Sequence, residues 1–439
     1  MDNTRASAPA RELALDLYRS AAVMLVVIGH WLLSVMTYHD GEFGRDNPLV
    51  LMPWTQWLTW GFQVVPVFFA VAGYASAVSW ARRDPDAESR QEWVRRRVAR
   101  TLGPTGVYAG FVVVVMAVLL AAGIDGSVLS LGGWAVAMHL WFLAVYLMVV
   151  ALTPLAVAAH ERFGLAVPAA LAAGVVLVDI IGITTDQPQI RTLNYFFCWA
   201  AIYQLGIAWH GALLRQRVLV AMAAVAAAAL PLLVTWGPYP VAMIGVPGVR
   251  VENSAPPSVA LLALATVQIG VLLALVPLMN RALARGAWPR ILGVANNNVM
   301  ALYLWHMLPV IVVTLVGYPT GLLPQPELGS GAFWLARLQW EVVLAVVTAA
   351  LLCLLSWQRR FFAAPVPTFA VPLPPKVAEG LLYAGTAASA LALALLSAQG
   401  FAPDGRLPVP AMVLFVVGVF LVAARPRVVA ATSAGGRRQ

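Results

Sequence analysis

Apolar runs of about 20 residues recur along the whole chain, separated by short polar segments that are rich in Gly and Pro. Each run is long enough to cross the hydrocarbon core of a bilayer as an α-helix, which takes about 20 residues. The pattern predicts an all-α fold, a polytopic transmembrane helical bundle of about ten core spans plus a C-terminal helical pair. The spans, about twelve in all, are predicted at 16–36, 57–80, 104–123, 134–158, 165–183, 195–213, 218–236, 258–278, 296–316, 334–357, 377–398 and 408–424.

A Pro-rich segment, "AAPVPTFAVPLPP", interrupts this pattern before residue 376. Proline removes backbone donors and stiffens the chain, so we expect a domain boundary there. The predicted divisions are a cytoplasmic N-terminal segment 1–15, a transmembrane core 16–357, a cytoplasmic linker 358–376, an additional helical pair 377–424 and a basic cytoplasmic tail 425–439. No small-residue cleavage site follows the first apolar run, so we expect it to be retained as a span.

Composition and charge agree with a membrane protein. The chain has 439 residues, of which 61% are hydrophobic and 11% charged, whereas a soluble domain carries about a quarter charged residues. The net charge of +9 raises the question of a nucleic-acid partner, but 22 of the 28 basic residues fall on one side, five fall on the other and Arg19 lies in the first run. This asymmetry follows the positive-inside rule. It predicts a multi-pass protein of the cell (inner or plasma) membrane, with both termini cytoplasmic, the lipid bilayer as a partner and no nucleic acid.

Arg19 and His30 stand in the first apolar run, "LDLYRSAAVMLVVIGH". Arg19 and His30 are eleven residues apart, almost three helical turns or about 16 Å of rise, so both lie on nearly the same face. Ionisable side chains inside a membrane usually face the bundle interior or a watery cavity. The alternative is that Arg19 reaches to the interface and His30 satisfies a backbone carbonyl.

Other polar groups lie at similar depth or at the same membrane face. His139 and His306 occur inside apolar runs, but no histidines pair at i, i+4 and no Cys or carboxylate is close in sequence, so no metal site is predicted. The segment "EWVRRRVAR" contains four arginines before the third span. They either anchor the positive-inside loop or bind a polyphosphate ligand, because arginine suits planar recognition of phosphate.

Five short motifs, in order, are similar to those of the acyltransferase-3 family of integral membrane acyltransferases. They are "LDLYRSAAVMLVVIGHW", "PVFFAVAGY", "RRRVARTLGP", "HLWFLAVYL" and "YLWH", and together they cover roughly residues 11–357. One departure is Ala72, where the family commonly has a Ser before the Gly-Tyr of the second span, which leaves Gly73 with a packing role.

The resemblance implies an O-acyltransferase. The donor would be acyl-coenzyme A, commonly the acetyl thioester, as a substrate rather than a permanently bound cofactor. The acceptor would be a hydroxyl of an envelope carbohydrate, a lipid-linked sugar or an exported small molecule. Carried over to this sequence, Arg19 and His30 are the catalytic pair, and Arg97 and Arg100 contact the coenzyme. The residues expected to line the cavity are His139, Trp141, Tyr303 and His306.

These assignments predict a donor channel along the first helix. Arg19 with Arg97 or Arg100 would hold the donor phosphates, and the thioester would arrive near His30. Burial favours a neutral imidazole, so His30 could act as general base on the acceptor hydroxyl or take the acyl group itself. A different class also fits twelve spans, namely a proton-coupled transporter using intramembrane His and Asp, although no paired half-repeats are visible.

Overall fold

The computed structural model describes residues 12–427 and is all-helical, as predicted. The helices are, in chain order, α1 (Leu13–Leu33), α2 (Pro48–Leu51), α3 (Thr59–Phe62), α4 (Val65–Ala81), α5 (Arg90–Ala121), α6 (Gly126–Ala135), α7 (Trp141–Ala151), α8 (Thr153–Phe163), α9 (Ala166–Thr184), α10 (Asn194–His210), α11 (Gln216–Thr235), α12 (Val259–Leu283), α13 (Trp288–Trp305), α14 (Met307–Gly317), α15 (Gly331–Trp357), α16 (Arg359–Phe362), α17 (Pro375–Gln399) and α18 (Val409–Ala423).

Short 3-10 turns and two small sheets join these helices. The 3-10 turns are Pro53–Leu58, Met138–Leu140, Ile190–Leu193 and Pro403–Gly405. Strands β1 (Val35–His39) and β2 (Glu42–Asp46) form an antiparallel hairpin, while β3 (Phe369–Val371) and β4 (Ala424–Pro426) pair in parallel. Asp40 and Gly41 both have positive φ at the hairpin turn, as a two-residue turn with right-handed strand twist requires. The helical pattern of the sequence carries no signal for these short strands.

All twelve predicted spans fall on helices, but not all of them are full-length spans. In the part of the chain that the structure describes, nine helical segments are long and apolar enough to cross a membrane, and two of them, Pro53–Ala81 and Gly126–Ala151, each join consecutive short helices. A tenth crossing is broken, because α13 and α14 meet at a bend of 52° within the predicted span 296–316. Two predicted spans correspond to shorter helices, the 17-residue α10 and the 15-residue α18. A 15-residue helix rises about 22 Å, less than the roughly 30 Å of a hydrocarbon core.

The described residues form two compact units, each made of two stretches of the chain. The first unit comprises residues 12–83 and 152–362, and the second comprises residues 84–151 and 363–427. The C-terminal helices α17 and α18 therefore belong with α5, α6 and α7. The division into a core and an added pair stays a prediction of the sequence.

Close backbone approaches at glycines join helices of the first unit. A Cβ at Gly73 of α4 would lie 2.0 Å from the carbonyl oxygen of Tyr203, and a Cβ at Gly206 of α10 would lie 2.0 Å from that of Ala70. Small residues let transmembrane helices pack backbone to backbone. This contact is the packing role predicted for Gly73 beside Ala72.

Candidate active site

Helix α1 places Arg19 and His30 on one face, about 16 Å apart along the axis. The helix ends at Leu33, and Ser34 donates to the His30 carbonyl from its backbone N–H (3.0 Å) and from its hydroxyl (2.7 Å). These two bonds satisfy a carbonyl that the end of the helix would otherwise leave unpaired. His30 therefore lies in the last turn of α1, where its backbone is held in place.

His30 contacts a second histidine from a distant part of the chain. Its Nδ1 lies 2.9 Å from Nε2 of His306, and the two ring planes are within 12° of each other. His306 is fully buried and His30 is half-buried. The sequence predicted both residues at the site, but it did not predict that they hydrogen bond to each other.

The hydrogen-bond network assigns the tautomers of this pair. Nδ1 of His306 lies 2.8 Å from the backbone carbonyl oxygen of Tyr303, and a carbonyl only accepts, so this nitrogen carries the hydrogen. In neutral His306 the other nitrogen, Nε2, is then an acceptor, and His30 donates to it from Nδ1. The remaining nitrogen of His30, Nε2, therefore keeps its lone pair and can accept a proton or attack a carbonyl carbon.

The break between α13 and α14 brings His306 to this position. The backbone N–H of His306 still bonds to the Leu302 carbonyl, but Pro309 has no N–H to donate to Trp305 one turn back. A proline inside a helix also pushes against the carbonyl four residues before it, which bends the helix. The bend of 52° at His306 has this physical cause, and Tyr303 contributes its backbone carbonyl to the site.

Helix α15 supports the end of α1 from the other side. Arg337 donates from Nη2 to the Trp31 carbonyl at 2.5 Å and from Nη1 to the Ser34 carbonyl at 3.3 Å, and Trp340 donates to the Trp31 carbonyl at 3.1 Å. Trp31 in turn donates from Nε1 to the His306 carbonyl at 2.9 Å. Arg337 therefore satisfies backbone carbonyls at the C-terminal end of α1.

Arg19 is held at the other end of α1 by Asn296. Its Nε donates to Oδ1 of Asn296 at 2.7 Å, and the amide of Asn296 donates to the Asp16 carbonyl at 3.3 Å. Nη2 of Arg19 lies 3.6 Å from the Asp16 carboxylate, and the arginine side chain is 35% exposed. Nε of the guanidinium is thus bonded to Asn296, and Nη2 forms a longer ion pair with Asp16.

Helices α1 and α13 therefore meet at two levels and run in the same direction. Arg19 of α1 pairs with Asn296 of α13. Eleven residues after Arg19, His30 pairs with His306, which follows Asn296 by ten residues. Asn296 belongs to the run "NNN" in the ninth predicted span. Three consecutive amides in an apolar segment are a polar signal that sequence reasoning could have used, and it was missed.

The arginines of the basic segment lie in the second unit and differ in environment. Arg95 is buried and donates to the carbonyls of Val422 and Ala424, and Arg96 bonds to Glu88 at 2.9 Å. Arg97 stacks over the Trp93 ring at 4.7 Å, and Arg100 is exposed. Their contact with the coenzyme, and any ligand shared with Arg19, stay predictions.

His139 and Trp141 also belong to the second unit. His139 is buried in the 3-10 turn Met138–Leu140, with its ring 5.8 Å from that of Tyr108. The Tyr108 hydroxyl donates to the Val136 carbonyl at 2.6 Å, and Trp141 is half-buried at the start of α7. The prediction that His139 and Trp141 line the substrate cavity remains a prediction.

Asp179, the intramembrane acid of α9, is surrounded by hydrogen-bond donors. Its Oδ1 accepts from Arg191 (3.0 Å) and Asn194 (3.1 Å), and its Oδ2 accepts from the Tyr239 hydroxyl (3.0 Å) and the Val259 backbone N–H (2.8 Å). Each oxygen thus accepts two hydrogen bonds. Buried polar groups that are fully paired in this way fix one arrangement of the surrounding segments.

Comparison with known proteins agrees with the motifs. Residues 12–358 match the acyltransferase 3 family, described as "Acyltransferase domain". A 74-residue stretch is 40% identical to the riboflavin transport system permease protein RibX of Chloroflexus aurantiacus, which is 16% of this chain and 26% of that protein. No solved structure matches the chain. Since the family match covers well over half of its length, the chain belongs to the acyltransferase 3 family, and it is a multi-pass membrane protein.

Proposed function

We propose that this protein transfers an acyl group, most simply acetyl, from acyl-coenzyme A to a hydroxyl of an envelope carbohydrate, a lipid-linked sugar or an exported small molecule. The observation that carries the proposal is the hydrogen bond between His30 and His306, because it assigns an accepting lone pair to Nε2 of His30. The proposal also draws on the family's chemistry and on the arginines near the predicted cytoplasmic face.

In the first route, His30 acts as general base. Nε2 takes the proton of the acceptor hydroxyl while the hydroxyl oxygen attacks the thioester carbonyl carbon. The C–S bond then breaks, and the coenzyme thiolate recovers the proton from His30. His306 accepts the Nδ1–H bond throughout, so it orients the ring and stabilises the imidazolium form. General-base catalysis of this kind contributes about 10²–10⁴-fold.

In the second route, His30 is the nucleophile. Nε2 forms a bond to the acyl carbon while the C–S bond breaks and coenzyme A leaves as the thiolate. The acceptor hydroxyl oxygen then attacks the acyl carbon, the C–N bond to the imidazole breaks, and the hydroxyl proton passes to the thiolate. The same tautomer serves both routes because both use the lone pair on Nε2. A single-turnover experiment with labelled acetyl-coenzyme A and no acceptor separates them, since only the second route leaves label on the protein.

At the donor end, the outer edge of the Arg19 guanidinium suits two oxygens of one phosphate group. Asn296 fixes the orientation of this edge through Nε. The distance of about 16 Å between Arg19 and His30 along α1 is one that an extended pantetheine arm can span. Arg97 and Arg100 supply further positive charge for the coenzyme in this proposal.

A proton-coupled transporter would use an intramembrane His and an intramembrane Asp as proton carriers, and Asp179 does not suit that role. Both oxygens of Asp179 already accept two hydrogen bonds each, whereas a carrier needs an oxygen that is open to a mobile proton. The resemblance to the permease protein extends over 26% of that protein. The acyltransferase proposal uses both members of the His30–His306 pair.

The direct test is release of free coenzyme A thiol by the purified full-length protein, with and without envelope extracts as the acceptor source. We expect acceptor-dependent release from acetyl-coenzyme A that His30→Ala abolishes. Wild-type release by the His30→Ala variant, at equal protein level, would remove this histidine from the mechanism.

A further inference from the structure

The C-terminal residues 363–427, here named the C-terminal brace, contact the basic end of α5 at three places. They extend beyond residue 358, where the family match ends, and their purpose does not follow from the family. The first contact lies at the start of α17, where Glu379 accepts from Arg90 at 2.5 Å and from Gln91 at 3.1 Å. This contact is exposed enough that its own contribution to stability is small.

The second contact is buried and lies at the end of α18. Arg95 of α5 is 1% exposed, and its Nη1 donates to the carbonyls of Val422 and Ala424, both at 2.5 Å. These carbonyls belong to the last turn of α18 and the residue after it, where a helix leaves acceptors unpaired. Removing the Arg95 donor would leave buried acceptors without partners, which destabilises the contact between α18 and α5.

The third contact is the linker itself. The Val366 backbone N–H donates to the Ala99 carbonyl at 3.0 Å, and a Cβ at Gly103 would lie 2.0 Å from the Ala364 carbonyl oxygen. Gly103 therefore allows the linker backbone to lie directly against α5. The brace thus contacts α5 on both sides of Arg100 in sequence, at Ala99 and at Gly103.

The buried Arg95 contact lies on a different face of α5 from the arginines predicted to bind the donor. At 3.6 residues per turn, Arg95 lies about 160° around the helix from Arg97 and about 140° from Arg100. Arg97 and Arg100 lie about 60° apart and so share a face. The buried Arg95 contact therefore lies on the opposite side of α5 and does not cover the face that carries Arg97 and Arg100.

We propose that the C-terminal brace positions Arg97 and Arg100 for the phosphates of acyl-coenzyme A and is part of the donor site through α5. The proposal rests on the proposed function, in which these two arginines contact the donor. Arg95 is then a positioning residue and not a phosphate ligand, although it belongs to the same arginine run. The extra helical pair thereby has a role in donor affinity rather than in the acyl-transfer step.

The test compares Arg95→Met with Arg96→Met in the full-length protein. Both variants remove one positive charge from the same turn of α5, but Arg96 bonds to Glu88 and not to the brace. We expect Arg95→Met to raise the Kd for coenzyme A and the KM for acetyl-coenzyme A by about tenfold relative to Arg96→Met, with kcat within about twofold. Equal donor affinity in the two variants would overturn the proposal.

A second pair of variants decides the question if Arg95→Met does not fold. Gly103→Ala would place a Cβ 2.0 Å from the Ala364 carbonyl oxygen and should raise the KM for acetyl-coenzyme A, whereas Gly110→Ala on the same helix, with no atom within 4 Å of its added Cβ, should leave it unchanged. Equal KM values for these two variants would overturn the brace.

Direct variants of the donor arginines separate the two proposals. If Arg97→Gln and Arg100→Gln weaken coenzyme A binding while Arg95→Met behaves like Arg96→Met, only the brace is wrong. If Arg97→Gln and Arg100→Gln bind coenzyme A as the wild type does, the donor contact is wrong and the brace proposal falls with it.

Discussion

At the scale of single residues, the site depends on which nitrogen of each histidine carries the hydrogen. The Tyr303 carbonyl determines the tautomer of His306, and His306 then determines that of His30. The arrangement resembles the way in which an orienting carboxylate holds a catalytic histidine, except that the partner here is a neutral imidazole. Because a neutral partner stabilises an imidazolium less than a carboxylate does, we expect its loss to be less severe.

Replacing His306 by Ala should lower kcat for acyl transfer by about 10- to 100-fold, less than the ~10⁴-fold loss that follows removal of a charged orienting partner. The reason is that Nδ1 of His30 then loses its acceptor, and the ring loses its fixed tautomer. His306→Gln should keep more activity than His306→Ala, since an amide oxygen can accept the same hydrogen bond. Coenzyme A thiol release at saturating donor measures this, and equal kcat values for wild type and His306→Ala would contradict the assignment.

Replacing Arg19 by Lys should weaken donor binding rather than preserve it. A guanidinium can bond to Asn296 through Nε and still present two parallel donors to a phosphate, whereas an ammonium is a point charge. We expect the KM for acetyl-coenzyme A to rise by about tenfold or more with a smaller change in kcat. Asn296→Ala should act in the same direction, because it releases the guanidinium. An unchanged donor affinity in Arg19→Lys would mean that Arg19 does not bind the donor and contributes only to the membrane orientation of the chain.

At the scale of elements, hydrophobic periodicity predicted the helices well because a bilayer requires apolar runs of a certain length. It could not predict the bend at His306, since the effect of Pro309 on one helix depends on whether neighbouring segments satisfy the freed carbonyl. It also could not predict that α17 and α18 pack with α5 and α7. Hydrophobicity alone does not distinguish an apolar helix face that contacts another helix from one that contacts lipid. Five motifs identified Arg19, His30 and His306, but the contacts of Asn296 and Arg337 needed the positions of α13 and α15.

The approach of α4 to α10 gives a test at this scale. Gly73→Ala would place a Cβ 2.0 Å from the Tyr203 carbonyl oxygen, which is backbone and cannot turn aside. We expect the free energy of unfolding to fall by about 2 kcal/mol or more, seen as a lower Tm of the detergent-solubilised protein. Gly293→Ala on α13 is the matched control, since no atom lies within 4 Å of its added Cβ. Equal Tm values for the two variants would mean that α4 and α10 are not in this contact.

At the scale of the whole molecule, the charge asymmetry and the direction of helices α1 and α13 agree with each other. The sequence counts α1 as the first span and α13–α14 as the ninth, and odd-numbered spans cross in one direction. The contacts Arg19–Asn296 and His30–His306 independently require α1 and α13 to run in the same direction. The donor proposal needs Arg19, Arg97 and Arg100 on the cytoplasmic side, where acyl-coenzyme A is made, and His30 deeper along α1.

This orientation can be measured with single cysteines in a variant that lacks Cys198 and Cys353. All the positions chosen are exposed: Ala87 and Arg285 in loops predicted to be cytoplasmic, and Glu42 and Val249 in loops predicted to face outward. An impermeant thiol reagent on intact cells should label Glu42→Cys and Val249→Cys at once, and should label Ala87→Cys and Arg285→Cys only after the membrane is opened. The reason is the excess of basic residues, 22 against five, on the side of the membrane where Ala87 and Arg285 are predicted to lie. Labelling of Ala87→Cys but not of Glu42→Cys on intact cells would invert the map. Arg97 and Arg100 would then lie on the side without coenzyme A, and the donor channel along α1 would have to be abandoned.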